Sequence, residues 1–287
     1  MAQMMLPTDR RSVVIFSLSV GLLLLAWVGA AISAQHYFPI STFYQELAVA
    51  AAVLLAAVLQ FIERPKEPSV IVPWIAVPFG GVALLGLLDI ALHRITYADA
   101  MIWPIGSMAV AAIAALLAAR WAAQGYSERL MQVWAWAFVL GAIGTALSMW
   151  AQVFLPDTVA IWLFPRSPLQ APMGNIAQRN QAALFLGFGL LALAYYLRAN
   201  ARRRFVIVLA VPLIVLLTTG IVLSQSRIGM AFLTVAGLFG GMMIGPQPRR
   251  AISALFGVAA AALYWRLQWG MYTRGGVVEL LSPGLQR

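Results

Sequence analysis

Between residues 172 and 229 the chain reads PMGNIAQRNQ (172–181), AALFLGFGLLALAYYL (182–197), RANARRR (198–204), FVIVLAVPLIVLLTTGIVL (205–223) and SQSRIG (224–229). Two apolar runs of 16 and 19 residues are set between three polar clusters. A run of about 20 apolar residues is the length of a helix that crosses a hydrocarbon core of about 30 Å. This stretch therefore reads as two membrane helices with polar groups at their mouths.

Working outward, the same pattern fills the chain. Of 287 residues, 62% are hydrophobic and 10% charged, and the mean hydropathy is +0.87. A soluble domain carries about 25% charged residues. The spacing predicts an all-α, polytopic membrane bundle of about nine spans, at 13–34, 43–62, 70–92, 101–121, 130–154, 181–197, 205–223, 228–244 and 251–267. Pro73 and Pro78 fall in the first half of the third span, where neighbouring helices would have to satisfy the freed carbonyls. Residues 1–287 read as one transmembrane domain, with an amphipathic tail at 268–287. No internal repeat interrupts it.

The chain lacks cysteine and has only His36 and His93 as histidines, which argues against thiolate or histidine-rich metal sites; no metal or cofactor is expected. The formal charge of +10 would suggest nucleic acid in a soluble protein, but in a membrane protein it sets orientation. With the N-terminus cytoplasmic, Arg10, Arg11, Arg64, Lys66, Arg120, Arg129, Arg198, Arg202, Arg203, Arg204, Arg249 and Arg250 all face inside. Arg94, Arg166, Arg179, Arg227, Arg266, Arg274 and Arg287 face outside, as does the C-terminus. The first and third polar clusters of the opening stretch, 172–181 and 224–229, then lie on the outer face.

Arg227 stands out. It occupies a very short connector, with no carboxylate within ten residues of it in sequence. A guanidinium near membrane depth faces a cavity or a partner, and a phosphate would supply the counter-charge through paired donors. Gly229 allows close approach to the helix start at Ile228, whose free amides also favour anions. Gln178, Arg179, Asn180 and Gln181 fit two readings. One is a helix cap at Asn180 with interfacial polar residues. The other is a set of amides for sugar hydroxyls or a diphosphate, with Gly174 and Asn175 adding to it. Gly187 and Gly189 allow close helix packing. Glu46 and Asp89, near span ends, can each orient an arginine. His36 and His93 read as interfacial residues, with a general-base role the less favoured reading.

The order Gly174-Asn-Ile-Ala-Gln178-Arg-Asn180 and then Ser226-Arg227-Ile-Gly229 resembles the O-antigen ligase/polymerase superfamily, and within it the bacterial protein O-oligosaccharyltransferases that glycosylate pilins. The connector from Tyr37 to Glu46 and the tail from Leu281 to Arg287 look like theirs too. The resemblance implies an enzyme of the bacterial inner membrane. It would transfer a glycan from undecaprenyl diphosphate to a Ser or Thr hydroxyl of a pilin-like or other periplasmic protein, with no metal and no cofactor. Arg227, Arg287 and Arg179 would grip the diphosphate; Gln178, Asn180 and Asn175 would make polar contacts to glycan or lipid diphosphate. Residues 268–287 would begin a large periplasmic loop whose histidine, beyond residue 287, serves as base. On that reading the 287 residues hold a half-site and act weakly or not at all alone. The same superfamily holds O-antigen ligases and Wzy-type polymerases with sugar acceptors. A transporter of lipid-linked substrates and a non-catalytic scaffold are readings of another class. A transporter would carry arginines through the bundle to the inner face, and the apolar runs carry no charge at mid-depth.

Overall fold

The computed structural model describes residues 10–33, 43–62, 72–94, 98–155, 171–176, 178–200, 204–229 and 231–233. Seven helices are complete among the described residues: α1 (Arg10–Ile32), α2 (Phe43–Ile62), α3 (Ala76–Ala91), α4 (Ala98–Ala123), α5 (Ser127–Phe154), α6 (Arg179–Asn200) and α7 (Arg204–Leu223). A 3-10 turn at Gly174–Ile176 precedes α6, and a further helical segment starts at Arg227. No strand occurs among the described residues. Among the described residues four segments are long and apolar enough to cross a membrane: Arg10–Ile32, Met101–Ala123, Ser127–Phe154 and Arg179–Leu197. The ninth expected span, 251–267, lies outside the described residues.

The third expected span is shorter than its apolar run. The helix starts at Ala76 rather than at residue 70, so Pro73 precedes it and its carbonyl accepts the Ala76 N–H at 2.9 Å. Pro78 falls in the first turn, where its missing N–H has no helical partner to lose. The prolines start the helix instead of kinking it.

Many large apolar side chains lie exposed, while small ones are buried where helices meet. Alanines are fully buried at positions 137, 142, 146, 182 and 183, while Leu25 is 73% exposed and Trp74 81%. A water-soluble fold would bury the large apolar groups. Facing lipid they cost nothing, and small residues are favoured where backbones meet. This pattern, with the long apolar helices, makes the chain a membrane protein.

The chain divides into two compact units. The first comprises Met1–Trp27 and Glu46–Val133. In it α3 and α4 pack antiparallel: a Cβ on Gly80 would touch Ala112, and one on Gly86 would press on Ile105 at 2.7 Å. Glu46 accepts from Trp103 Nε1 at 2.6 Å. Asp89 faces an arginine, Arg94 at 3.8 Å, with both side chains solvent-accessible. Such an exposed pair contributes about 0–1 kcal/mol. His93 is exposed and ends α3 at φ 54°, between N–H bonds to Ile90 and from Arg94 to Asp89. Phe16 stacks on Tyr126 at 3.9 Å and meets Trp121 edge-on at 5.6 Å.

The second unit comprises Val28–Gln45 and Trp134–Arg287. Its core is built by α5, α6 and α7 around Ala142, Ala146, Met149, Ala182, Leu186, Leu217 and Ile221. A second cluster of Val139, Leu193 and Ala210 lies further along the same helices. A Cβ on Gly189 would collide with Ala142, so this glycine sets how closely α6 approaches α5. Trp150 on α5 donates to Thr219 Oγ1 on α7 at 3.2 Å. Both expected packing glycines of α6 are used, since Gly187 lies against the Phe232 ring.

Candidate functional site

The opening polar clusters come together in the second unit, and α5 provides their floor. Thr145, Ser148 and Gln152 stand at i, i+3 and i+7, one face of the helix. Gln152 is 4% exposed. Its Oε1 accepts the N–H groups of Met173 at 3.1 Å and Gly174 at 2.9 Å, and its Nε2 donates to the Gly174 carbonyl at 3.3 Å. One side-chain amide thus satisfies three backbone groups of a buried turn, which would otherwise go unpaired at about 1–3 kcal/mol each.

Gly174 makes this seating possible. Its φ is +59°, a region L side chains rarely adopt. A Cβ there would lie 2.8 Å from Ser148 Oγ and 3.0 Å from the Thr145 carbonyl oxygen. Asn175 follows, 4% exposed, and its Nδ2 donates to the Ile32 carbonyl at 2.6 Å. Gln45 Nε2 donates to the Ser33 carbonyl at 3.1 Å. Helix ends leave carbonyls without intrahelical partners, and these two amides satisfy the end of α1.

The turn delivers the chain to α6. The helix begins at Arg179, and the Gln178 carbonyl accepts the Ala182 N–H at 2.9 Å. Gln178 therefore holds the cap position and Asn180 sits inside the first turn. This corrects the expectation that Asn180 caps the helix. Its side chain turns instead to the next polar cluster: Asn180 Oδ1 accepts from Ser226 Oγ at 2.8 Å. Gln178 and Arg179 are exposed, Asn180 half-buried.

The second cluster closes α7. Ser224 Oγ donates to the Ile221 carbonyl at 2.6 Å and accepts the Ser226 N–H at 3.2 Å. Gln225 between them is held at φ 52°. Ser226 Oγ accepts the Gly229 N–H at 3.3 Å, capping the helical segment that starts at Arg227. Arg227 is exposed. Gly229 is buried, and a Cβ there would press on Ile221 at 2.7 Å and Ala183 at 3.0 Å. Its missing side chain admits α6 and α7 rather than leaving an approach to the helix start.

One hydrogen bond, Asn180 to Ser226, thus joins two clusters 46 residues apart. Arg179 precedes one end of it and Arg227 follows the other, and neither has a carboxylate partner among the described residues. Residues 172–197 match a family model described as protein glycosylation ligase. The matched segment is the Gly174 turn and α6 as far as Leu197, the piece that Gln152 seats and that carries Gln178, Arg179 and Asn180. No curated protein and no solved structure matches the chain.

Of the expected site residues, Gln178, Arg179, Asn180 and Arg227 gather at this corner. Asn175 is placed beneath it, with its amide held by α1. Arg287, His36 and the tail at 268–287 lie outside the described residues. His93 belongs to the first unit. Sequence reasoning missed Gln152, although a stripe of Thr, Ser and Gln at helical spacing inside an apolar span was there to be seen. Among the described residues no group of three His, Cys, Asp or Glu is placed to hold a metal.

Proposed function

We propose that the corner formed by Gln178, Arg179, Asn180 and Arg227 binds the diphosphate of a lipid-linked glycan, and that the chain belongs to the machinery that transfers this glycan to a protein Ser or Thr hydroxyl. The donor is undecaprenyl diphosphate, the acceptor a periplasmic protein of pilin type, and the site opens on the outer face of the bacterial inner membrane. The observation that carries the reading is the Asn180–Ser226 hydrogen bond, which joins the two segments that carry the exposed Arg179 and Arg227, neither of them with a carboxylate partner among the described residues. The glycosylation-ligase match over the same segment supports it. So does the charge bias of the loops, which puts the N-terminus in the cytoplasm of a bundle of about nine spans.

In such a transfer the acceptor oxygen bonds to the anomeric carbon as the bond from that carbon to the diphosphate oxygen breaks. Negative charge collects on the leaving diphosphate. Guanidiniums placed at the diphosphate stabilise that charge through paired donors. Arg287 would add a third cation, and the base acting on the acceptor is expected in the loop after 268–287. Asn175 supports from below.

Arg227→Ala tests the reading. Membranes carrying the variant should insert it at normal level, yet bind undecaprenyl diphosphate at least tenfold more weakly, the loss expected for one charge-assisted contact of about 1.5–3 kcal/mol. Arg227→Lys should recover little, because a point charge cannot reproduce the fork. Binding equal to wild type in both variants removes the diphosphate role.

A further inference from the structure

We propose that Ser226 is a positioning residue for the donor site: it orients the Asn180 amide and anchors the backbone from which Arg227 projects. The proposal rests on the diphosphate reading above and names what holds its groups in place. Ser226 is 1% exposed, so it does not itself meet a ligand at the surface. A serine hydroxyl has one proton and two lone pairs. Here the oxygen accepts the Gly229 N–H at 3.3 Å, and the proton goes to Asn180 Oδ1 at 2.8 Å. The Ser226 N–H is taken by Ser224 Oγ at 3.2 Å, which itself donates to the Ile221 carbonyl at 2.6 Å. A continuous run of hydrogen bonds therefore leads from the end of α7 through Ser224 and Ser226 to Asn180 on α6.

Two consequences follow for a ligand. Because Oδ1 of Asn180 accepts from the buried serine, its Nδ2, with two N–H donors, points away from it. Those donors lie on a half-buried residue flanked in sequence by the exposed Arg179. Oriented donors suit a phosphate oxygen or a sugar hydroxyl; a freely turning amide would offer its oxygen as often as its nitrogen. The second consequence concerns Arg227. Ser226 is tied on both sides and follows Gln225 at φ 52°, so the exposed arginine starts from a fixed backbone. Less freedom is then lost when its guanidinium engages a ligand.

A plain helix cap explains only the Gly229 bond. It requires nothing of Asn180, and this separates the two roles. The measurement is the Kd for undecaprenyl diphosphate of the 287-residue chain in nanodiscs, for wild type, Arg227→Ala, Ser226→Ala, Asn180→Ala, the Ser226→Ala/Asn180→Ala double variant, Ser226→Thr and Asn180→Asp. Each single alanine variant should raise Kd on the order of tenfold, as for one lost buried hydrogen bond. The double variant should lose clearly less than the product of the two single losses, since both remove the shared Ser226–Asn180 link. Ser226→Thr keeps the hydroxyl and should recover most of the loss. Asn180→Asp keeps the acceptor but exchanges both donors for a negative charge, and should bind at least as poorly as Asn180→Ala. Asn180→Ala leaves the cap intact and carries the test if Ser226→Ala does not fold. Losses that multiply in the double variant, or wild-type binding by Asn180→Ala, reduce Ser226 to a cap and overturn the proposal while the diphosphate reading stands. Equal binding by wild type and Arg227→Ala overturns both.

Discussion

At the scale of single residues the site depends on groups that a ligand never meets. Gly174 is the tightest of these. Both its left-handed φ and the 2.8–3.0 Å approach of Ser148 and Thr145 exclude a side chain. Gly174→Ala should destabilise the protein by about 1–3 kcal/mol, from backbone strain and displaced neighbours. Gly21→Ala on α1, where a Cβ meets nothing within 4 Å, should be neutral or mildly stabilising. Denaturation titrations of the two in mixed micelles check the contrast, and equal midpoints would refute it. Gln152→Leu strands the N–H groups of Met173 and Gly174. It should cost about 1–3 kcal/mol for each group left unpaired, less whatever water restores. The same variant should weaken donor binding with Arg179 and Arg227 intact, because the turn that feeds α6 loses its seat.

At the scale of elements, α5, α6 and α7 hold together by fit. In lipid the hydrophobic effect gives helices no reason to associate, so close packing and a few interhelical hydrogen bonds must suffice. Gly189 against Ala142 and Gly220 against Leu186 and Ala146 are contacts that let these backbones approach, and Gly187 against Phe232 and Gly229 against Ala183 do the same for the segment that starts at Arg227. Trp150 to Thr219 adds one polar tie of the kind that averages about 0.6 kcal/mol in membrane bundles. Packing should therefore outweigh that bond. Gly189→Leu is expected to separate α6 from α5 and lower the thermal midpoint by far more than Thr219→Val does. A larger loss from Thr219→Val would mean the polar tie dominates.

For the whole molecule, the many large apolar side chains left exposed imply lipid on the exposed faces. The positive-inside count is an expectation about which loops lie on which side, and labelling can test it. The chain has no cysteine, so single cysteines report topology without a background. Cysteine placed at Gln178 should react with a membrane-impermeant maleimide in intact spheroplasts. Cysteine at Arg249 should react only after the membrane is opened. The reverse pattern would invert the orientation and put the corner on the wrong side for an exported acceptor.

Composition alone determined that this chain is helical and membrane-bound, because runs of about 20 apolar residues with few charges leave lipid as the solvent. The positions of α2, α5 and α7 followed from the same runs, and Gln178, Arg179, Asn180 and Arg227 stood out because polar groups are costly there. The start of α3 did not follow, since a proline can kink a helix or begin one and only the fold chooses. The partner of each polar group was also beyond reach. Asn175 and Asn180 are five residues apart with the same amide, yet one is buried against Ile32 and the other turns to Ser226. Hydrogen bonds spanning 143 and 46 residues depend on how helices pack, and helix packing here depends on glycine and alanine contacts that carry no periodic signal. The sequence thus named the polar groups beside the apolar runs, and tertiary structure decided which of them are exposed and which are buried against backbone.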